Sequence, residues 1–103
     1  MTFKVSISFA AELDLDEAVE FIARGSKIAA KKWILEFHQK IESLCDMPMR
    51  SALIPESEDI GLQLRSLNHY SHRIIYSIDE SRNAVNIVRV YHGARNPLNR
   101  DNL

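Results

Sequence analysis

Arginine and histidine recur through the last third of the chain, at Arg65, His69, His72, Arg73, Arg89, His92 and Arg95. A guanidinium grips phosphate or carboxylate through a planar, permanently charged fork. An imidazole exchanges protons near neutral pH. Arg65 and Arg73 are therefore candidate anion clamps, and His92 with its neighbour Tyr91 is a candidate acid–base pair. Each has a structural alternative. The arginines can pair with Glu56, Glu58 or Asp59, or sit on a solvated sheet face. His92 can hydrogen-bond the backbone and fix a strand end, and Arg95 can anchor the tail or a partner. His69 and His72 have a metal-like spacing, but no acid or cysteine joins their turn, so no metal and no cofactor is expected.

Three β-rich runs carry these residues. In Gly61–Leu67, Leu62 and Leu64 are expected on one face and Gln63 and Arg65 on the other. In Arg73–Ile78, Ile74, Tyr76 and Ile78 share a face, with Arg73, Ile75 and Ser77 opposite. The last run, Ala84 to about Tyr91, is apolar on both faces: Val85 and Ile87 on one, Val88 and Val90 on the other. Tyr91 alternates with Val85 and Ile87, which predicts a core tyrosine that does not share a face with His92. Asn68–Ser71 and Asp79–Asn83 have turn composition.

The first half supplies the support for that sheet. Thr2 to Ser8 alternates and predicts a strand, with Ser8 as an N-cap. Ala10 to Arg24 predicts a helix with Ala11, Leu15, Ala18 (or Val19) and Ile22 along one stripe. Leu13 lies off that stripe, as an exposed leucine or a partner contact. Gly25 is expected to end the helix as its C′ residue, and Ser26 to cap a second helix from Lys27 to about Cys45. There Ala30, Trp33, Phe37, Ile41 and Leu44 form the core stripe, and His38 borders it. Asp46–Asp59 reads as a long irregular connection with acids at Glu56, Glu58 and Asp59.

The expected architecture is α+β in the order β-α-α-β-β-β, one domain over residues 1–103. A helical hairpin packs on one face of a small, mainly antiparallel four-stranded sheet. The hairpin can cover only one face of a strand that is apolar on both. The second cover is expected to be a partner, the chain's own tail, or nothing. A partner surface is therefore expected over Leu13, Arg65, Arg73, Ile75, Val88, Val90, His92 and Arg95. A homodimer using the same face is the alternative.

The 103 residues carry a formal net charge of −1 and one cysteine, Cys45, which excludes an internal disulfide framework. No apolar run approaches a membrane span, and the N-terminus lacks a signal-peptide core. The reading is a soluble, cytoplasmic domain. Proteins that grip nucleic-acid backbones are usually strongly basic. Here only the terminal third is, with Arg65, Arg73, Arg82, Arg89, Arg95 and Arg100 against Asp79, Glu80 and Asp101.

The ordered set Val5–Ser8, Ala11-Glu12-Leu13-Asp14-Leu15, Phe21-Ile22, Leu44–Pro48, Gly61-Leu62, Leu64–Leu67, Arg73–Tyr76 and Val88–Pro97 resembles the RelE/ParE superfamily of bacterial type II toxins. Two departures stand out. Phe9 occupies a position where the family often has proline, and Arg50-Ser51-Ala52 replaces a common Gly-Arg. The resemblance implies a cognate antitoxin that folds on binding. It also implies one of two targets. RelE-like members enter the ribosome and cleave mRNA, which here would use Arg73, His92, Tyr91 and Arg65 with no metal. ParE-like members, related to plasmid-stabilisation proteins, bind DNA gyrase. Low net charge and the His92-Gly93-Ala94-Arg95 ending favour the ParE-like branch. A member that keeps only antitoxin binding is a third reading.

Overall fold

In a computed structural model, described for residues 2–93 and 98–103, strand β1 (Lys4–Ile7) leads into helices α1 (Phe9–Gly25) and α2 (Lys27–Glu42). A long connection holds the single-turn helix α3 (Ser57–Ile60). Strands β2 (Arg65–His69), β3 (His72–Asp79) and β4 (Ala84–His92) follow. The sheet order is β1-β4-β3-β2. β1 runs parallel to β4 and the other pairs are antiparallel. This is the expected architecture. Among the described residues no helix is long and apolar enough to cross a membrane.

Two serines set the hairpin. The Ser8 hydroxyl accepts from the Ala11 N–H at 3.0 Å and donates to the Val88 carbonyl at 2.8 Å, so one side chain starts α1 and ties it to β4. Ser26 does double duty between the helices. Its N–H closes α1 on the Ile22 carbonyl, and its hydroxyl accepts from Ala29 N–H at 3.1 Å to open α2. The extended Ser26 backbone, φ −163°, makes the break between the helices. Gly25 is the last residue of α1 and has no positive φ, so the expected glycine C′ motif is absent.

The hairpin face of the sheet is the main core. Ala11, Leu15 and Ala18 of α1 and Trp33, Phe37 and Ile41 of α2 pack on Ile74, Tyr76, Val85, Ile87 and Val90. Val85 and Ile87 lie there as expected, but Val90 joins them. β3 and β4 slip register: Tyr76 faces Ile87 while Ile75 faces Arg89, leaving Val88 as an extra residue. A bulge exchanges the faces of everything beyond it. The expectation that Val88 and Val90 share a face is corrected accordingly. Tyr91 is core, as expected, but on the face opposite Val85 and Ile87.

That opposite face is covered by the chain itself. Ile54 and Ile60 from the connection, Leu64, and Leu98 from the tail close over Ile75 and Tyr91. Leu62 does not join them: it is 53% exposed, because β2 begins only at Arg65. Gly61, at φ +81°, turns the chain out of α3 just before it. The connection is also pinned beneath the hairpin core, where the Tyr76 hydroxyl donates to the Pro48 carbonyl at 2.7 Å and pairs with Ser51 Oγ at 2.6 Å.

Candidate functional site

The predicted chemical groups fall into three separate places. Arg73 lies on the second face, where its two terminal nitrogens donate to the two oxygens of Glu56 at 2.8 and 3.1 Å. The Glu56 side chain is only 13% exposed, and it also accepts from the Leu98 N–H at 3.3 Å. The arginine hydrogen bonds hold the Glu56 pKa below its usual value, against the upward push of burial. Arg73 is thus already occupied by a carboxylate. Glu56 is a structural residue rather than part of a solvated acidic loop, whereas Glu58 and Asp59 are exposed.

Arg65 stands opposite Tyr76 at the start of β2 and donates to the Ser51 carbonyl. His92 stands opposite His72 at the end of β4. Tyr76 and His72 are four residues apart along β3, about 13 Å at strand spacing. Tyr91 is buried on the face opposite His92, with Arg89 stacked 5.9 Å from its ring centroid. As expected, the two do not share a face. The four groups therefore do not converge on one point among the described residues.

What His92 does join is an aromatic cluster. Its ring meets His72 edge-on at 4.9 Å, and His72 meets Trp33 at 5.4 Å. Trp33 is also 4.8 Å from His69, which is 1% exposed. The His69 Nε2 lies 2.9 Å from the Trp33 carbonyl. A carbonyl only accepts, so Nε2 carries the proton and Nδ1 is the bare nitrogen. That Nδ1 is buried with no hydrogen-bond partner among the described residues. Burial pushes the His69 pKa down and keeps the ring neutral. His69 and His72 are thus packed into the hydrophobic end of the hairpin. Among the described residues no cluster suited to a metal exists.

Trp33, His72 and His92 of this cluster line a groove of about 870 Å³ between the two helices and the end of the sheet, together with Glu17, Phe21 and Tyr70. Tyr70 holds a left-handed backbone, φ +56°, at the tip of the β2–β3 hairpin. Its hydroxyl donates to the Glu36 carboxylate at 2.8 Å, which raises the tyrosine pKa. Of the residues expected to meet a partner, Leu13 is 52% exposed on α1, His92 and Val88 are half-buried, and Ile75 and Val90 are buried on opposite faces. Arg95 lies outside the described residues.

One pair was not singled out in the sequence. Asp14 accepts from Arg89 Nε and Nη2 at 2.7 and 2.8 Å and from the Val90 N–H at 2.9 Å. The ladder between β1 and β4 ends at Ile7 and Ile87, so the edge of β4 beyond it has no strand beside it. The Asp14 carboxylate takes the place of that strand. Its hydrogen bonds raise the Arg89 pKa. The signal was available: Arg89 is the one charged residue in Ala84–Tyr91, and a buried cation needs a carboxylate.

A family model described as the ParE toxin of type II toxin–antitoxin systems, parDE, matches residues 5–97. Among solved structures, the chain is similar to one from the chromosomal ParDE toxin–antitoxin system of P. aeruginosa. That likeness has a TM-score of 0.66 at 13% identity and covers 88% of this chain and 96% of that one. It is also similar to a chain of the RelBE2 toxin–antitoxin complex of Mycobacterium tuberculosis, with a TM-score of 0.61 at 22% identity over 92% and 95% of the two chains. No curated protein sequence matches.

Proposed function

Because this chain belongs to the ParE toxin family of type II toxin–antitoxin systems, we propose that it is a gyrase-directed toxin held in check by a cognate antitoxin. It acts in the cytoplasm by binding, without a hydrolytic step. The observation that carries this reading is the dispersal of the candidate nuclease groups. A ribonuclease needs its proton-transfer groups and phosphate cations around one scissile bond. Here Arg73 is clamped by Glu56 on one face of the sheet, His92 stacks on His72 on the other, and Arg65 is held at the far end. The formal net charge of −1 also offers little long-range attraction for the ribosome's RNA.

Controlled expression of the chain tests this reading through two assays. Inhibition of gyrase supercoiling with accumulation of cleaved DNA is the expected result. Codon-phased mRNA cuts on translating ribosomes, lost in Arg73→Ala and His92→Ala, would overturn it. Full growth with both assays silent would also overturn it, leaving a member that only binds antitoxin. An adjacent reading frame encoding a short protein with a DNA-binding N-terminus is the expected source of the antitoxin.

A further inference from the structure

The second face of the sheet has an unusual cover. Among the described residues it is neither a helix pair nor a sheet but two short pieces of chain, residues 54–60 and 98–103, far apart in sequence. The first holds the four-residue α3 after two turn residues, and the second holds a single 3-10 turn over Arg100–Asn102. The apolar residues they bring are Ile54, Ile60 and Leu98, with Leu103 at the margin. Among the described residues, polar ties join them to one another, to Leu64 and to the sheet beneath. Glu56 binds Arg73 of β3 and the Leu98 N–H together. Arg100 donates twice to the Ile60 carbonyl, at 3.2 and 2.6 Å. Ser57 Oγ and the Leu64 backbone exchange two hydrogen bonds at 3.0 Å. None of these ties reaches the helical hairpin.

We propose that residues 54–60 and 98–103 form a strap that lifts from the second face as one unit, with Glu56 as its latch, while the hairpin core stays folded. Local opening of this kind is favoured where few apolar contacts and short-range elements hold a segment down. Glu56 is the latch because it joins both pieces of the strap to β3. Opening uncovers Ile75 and Tyr91 and releases Arg73 from its carboxylate. The second apolar face, with a cation at its edge, is then exposed to solvent only in the opened state. The strap does not depend on the toxin's target, so failure of the gyrase assay leaves it standing.

Native-state amide hydrogen exchange on the full chain tests it. The N–H groups of Ile54, Ile60 and Gly61, which bond to the Leu64, Glu56 and Ser57 carbonyls, report on the strap. Strand amides of β3 and β4 report on the core. The strap amides are expected to exchange together and at least about tenfold faster than the core amides, with little dependence on low denaturant. In Glu56→Gln they are expected to speed up by a further factor of about ten, for a lost charge-assisted pair, while β3 and β4 are unchanged. Equal rates for strap and core in the natural protein would overturn the strap. Equal acceleration of both in Glu56→Gln, or none in either, would overturn the latch.

Discussion

The two faces of one sheet are covered by different physical means. On the hairpin face, two amphipathic helices lay continuous stripes against a matching surface, so each buried residue is held by its own helix as well as by its neighbours. On the second face, irregular chain supplies isolated apolar residues, and polar ties replace helical order. The first arrangement shares its stability across many residues. The second concentrates it in a few, above all Glu56. A small domain has little surplus stability, so how each face is held decides which one gives way first.

The largest expected effects come from cutting one side chain from each face. Phe37 is fully buried between the helices and the sheet, and Phe37→Ala is expected to cost about 3–5 kcal/mol, enough to threaten the whole fold. Leu98→Ala on the second face is expected to cost about 2 kcal/mol at most, because the tail can leave without the core. Urea titrations followed by circular dichroism compare the two. Equal losses, with the whole transition shifted in both, would mean the two faces are not mechanically distinct.

The Asp14–Arg89 pair sits where the faces meet, at the strand edge that β1 leaves open. Its side chains are 10% and 15% exposed, so removing one partner strands a nearly buried charge. Asp14→Ala is expected to cost about 3 kcal/mol, from an orphaned guanidinium and an orphaned Val90 N–H. Asp14→Ala combined with Arg89→Met should be more stable than Asp14→Ala alone, since no charge is then left unpaired. A double variant no better than the single one would assign the cost to the Val90 N–H instead. Thermal melts of the three proteins separate these outcomes.

Much of the hairpin face could be read from the sequence, because the 3.6-residue stripe of α2 and the alternation of β3 each state a phase. The bulge could not. A run that is apolar on both faces keeps the same pattern when its phase slips by one residue, so nothing around Val88 marks where Val90 and Tyr91 change sides. The strap was invisible for a related reason. Ile54, Ile60 and Leu98 follow no period, and only the tertiary fold gathers them. The functional candidates fared unevenly. Arg73 was correctly given Glu56 among its possible carboxylates, and that pairing removes it from a free cationic site. Asp14 stood among several acids in α1 with nothing in its spacing to set it apart, although Arg89 announced that one of them was needed.

The smallest expected effect is the most specific to the second face. Glu56 has a folded-state pKa below its ordinary value of 4.5, first because of the Arg73 hydrogen bonds. Between the folded and unfolded values the unfolded chain binds the proton and the folded chain does not. Stability therefore rises with pH across that window. The contribution of Glu56 is fully present above about pH 5 and fades as the pH falls through the folded value. In Glu56→Gln this part of the acid dependence disappears, because the amide does not titrate. Asp79, whose pKa is lowered mainly by the Ser81 hydroxyl, is the half-buried last residue of β3 and is present in both proteins, so it cancels in the difference. Subtracting the two stability curves between pH 3 and 7 should leave a single step below about pH 5. The step should be seen in strap amide exchange before it is seen in global unfolding, since the carboxylate ties down the strap and not the hairpin. A step confined to global unfolding would mean that the two faces open together and that their different construction has no mechanical consequence.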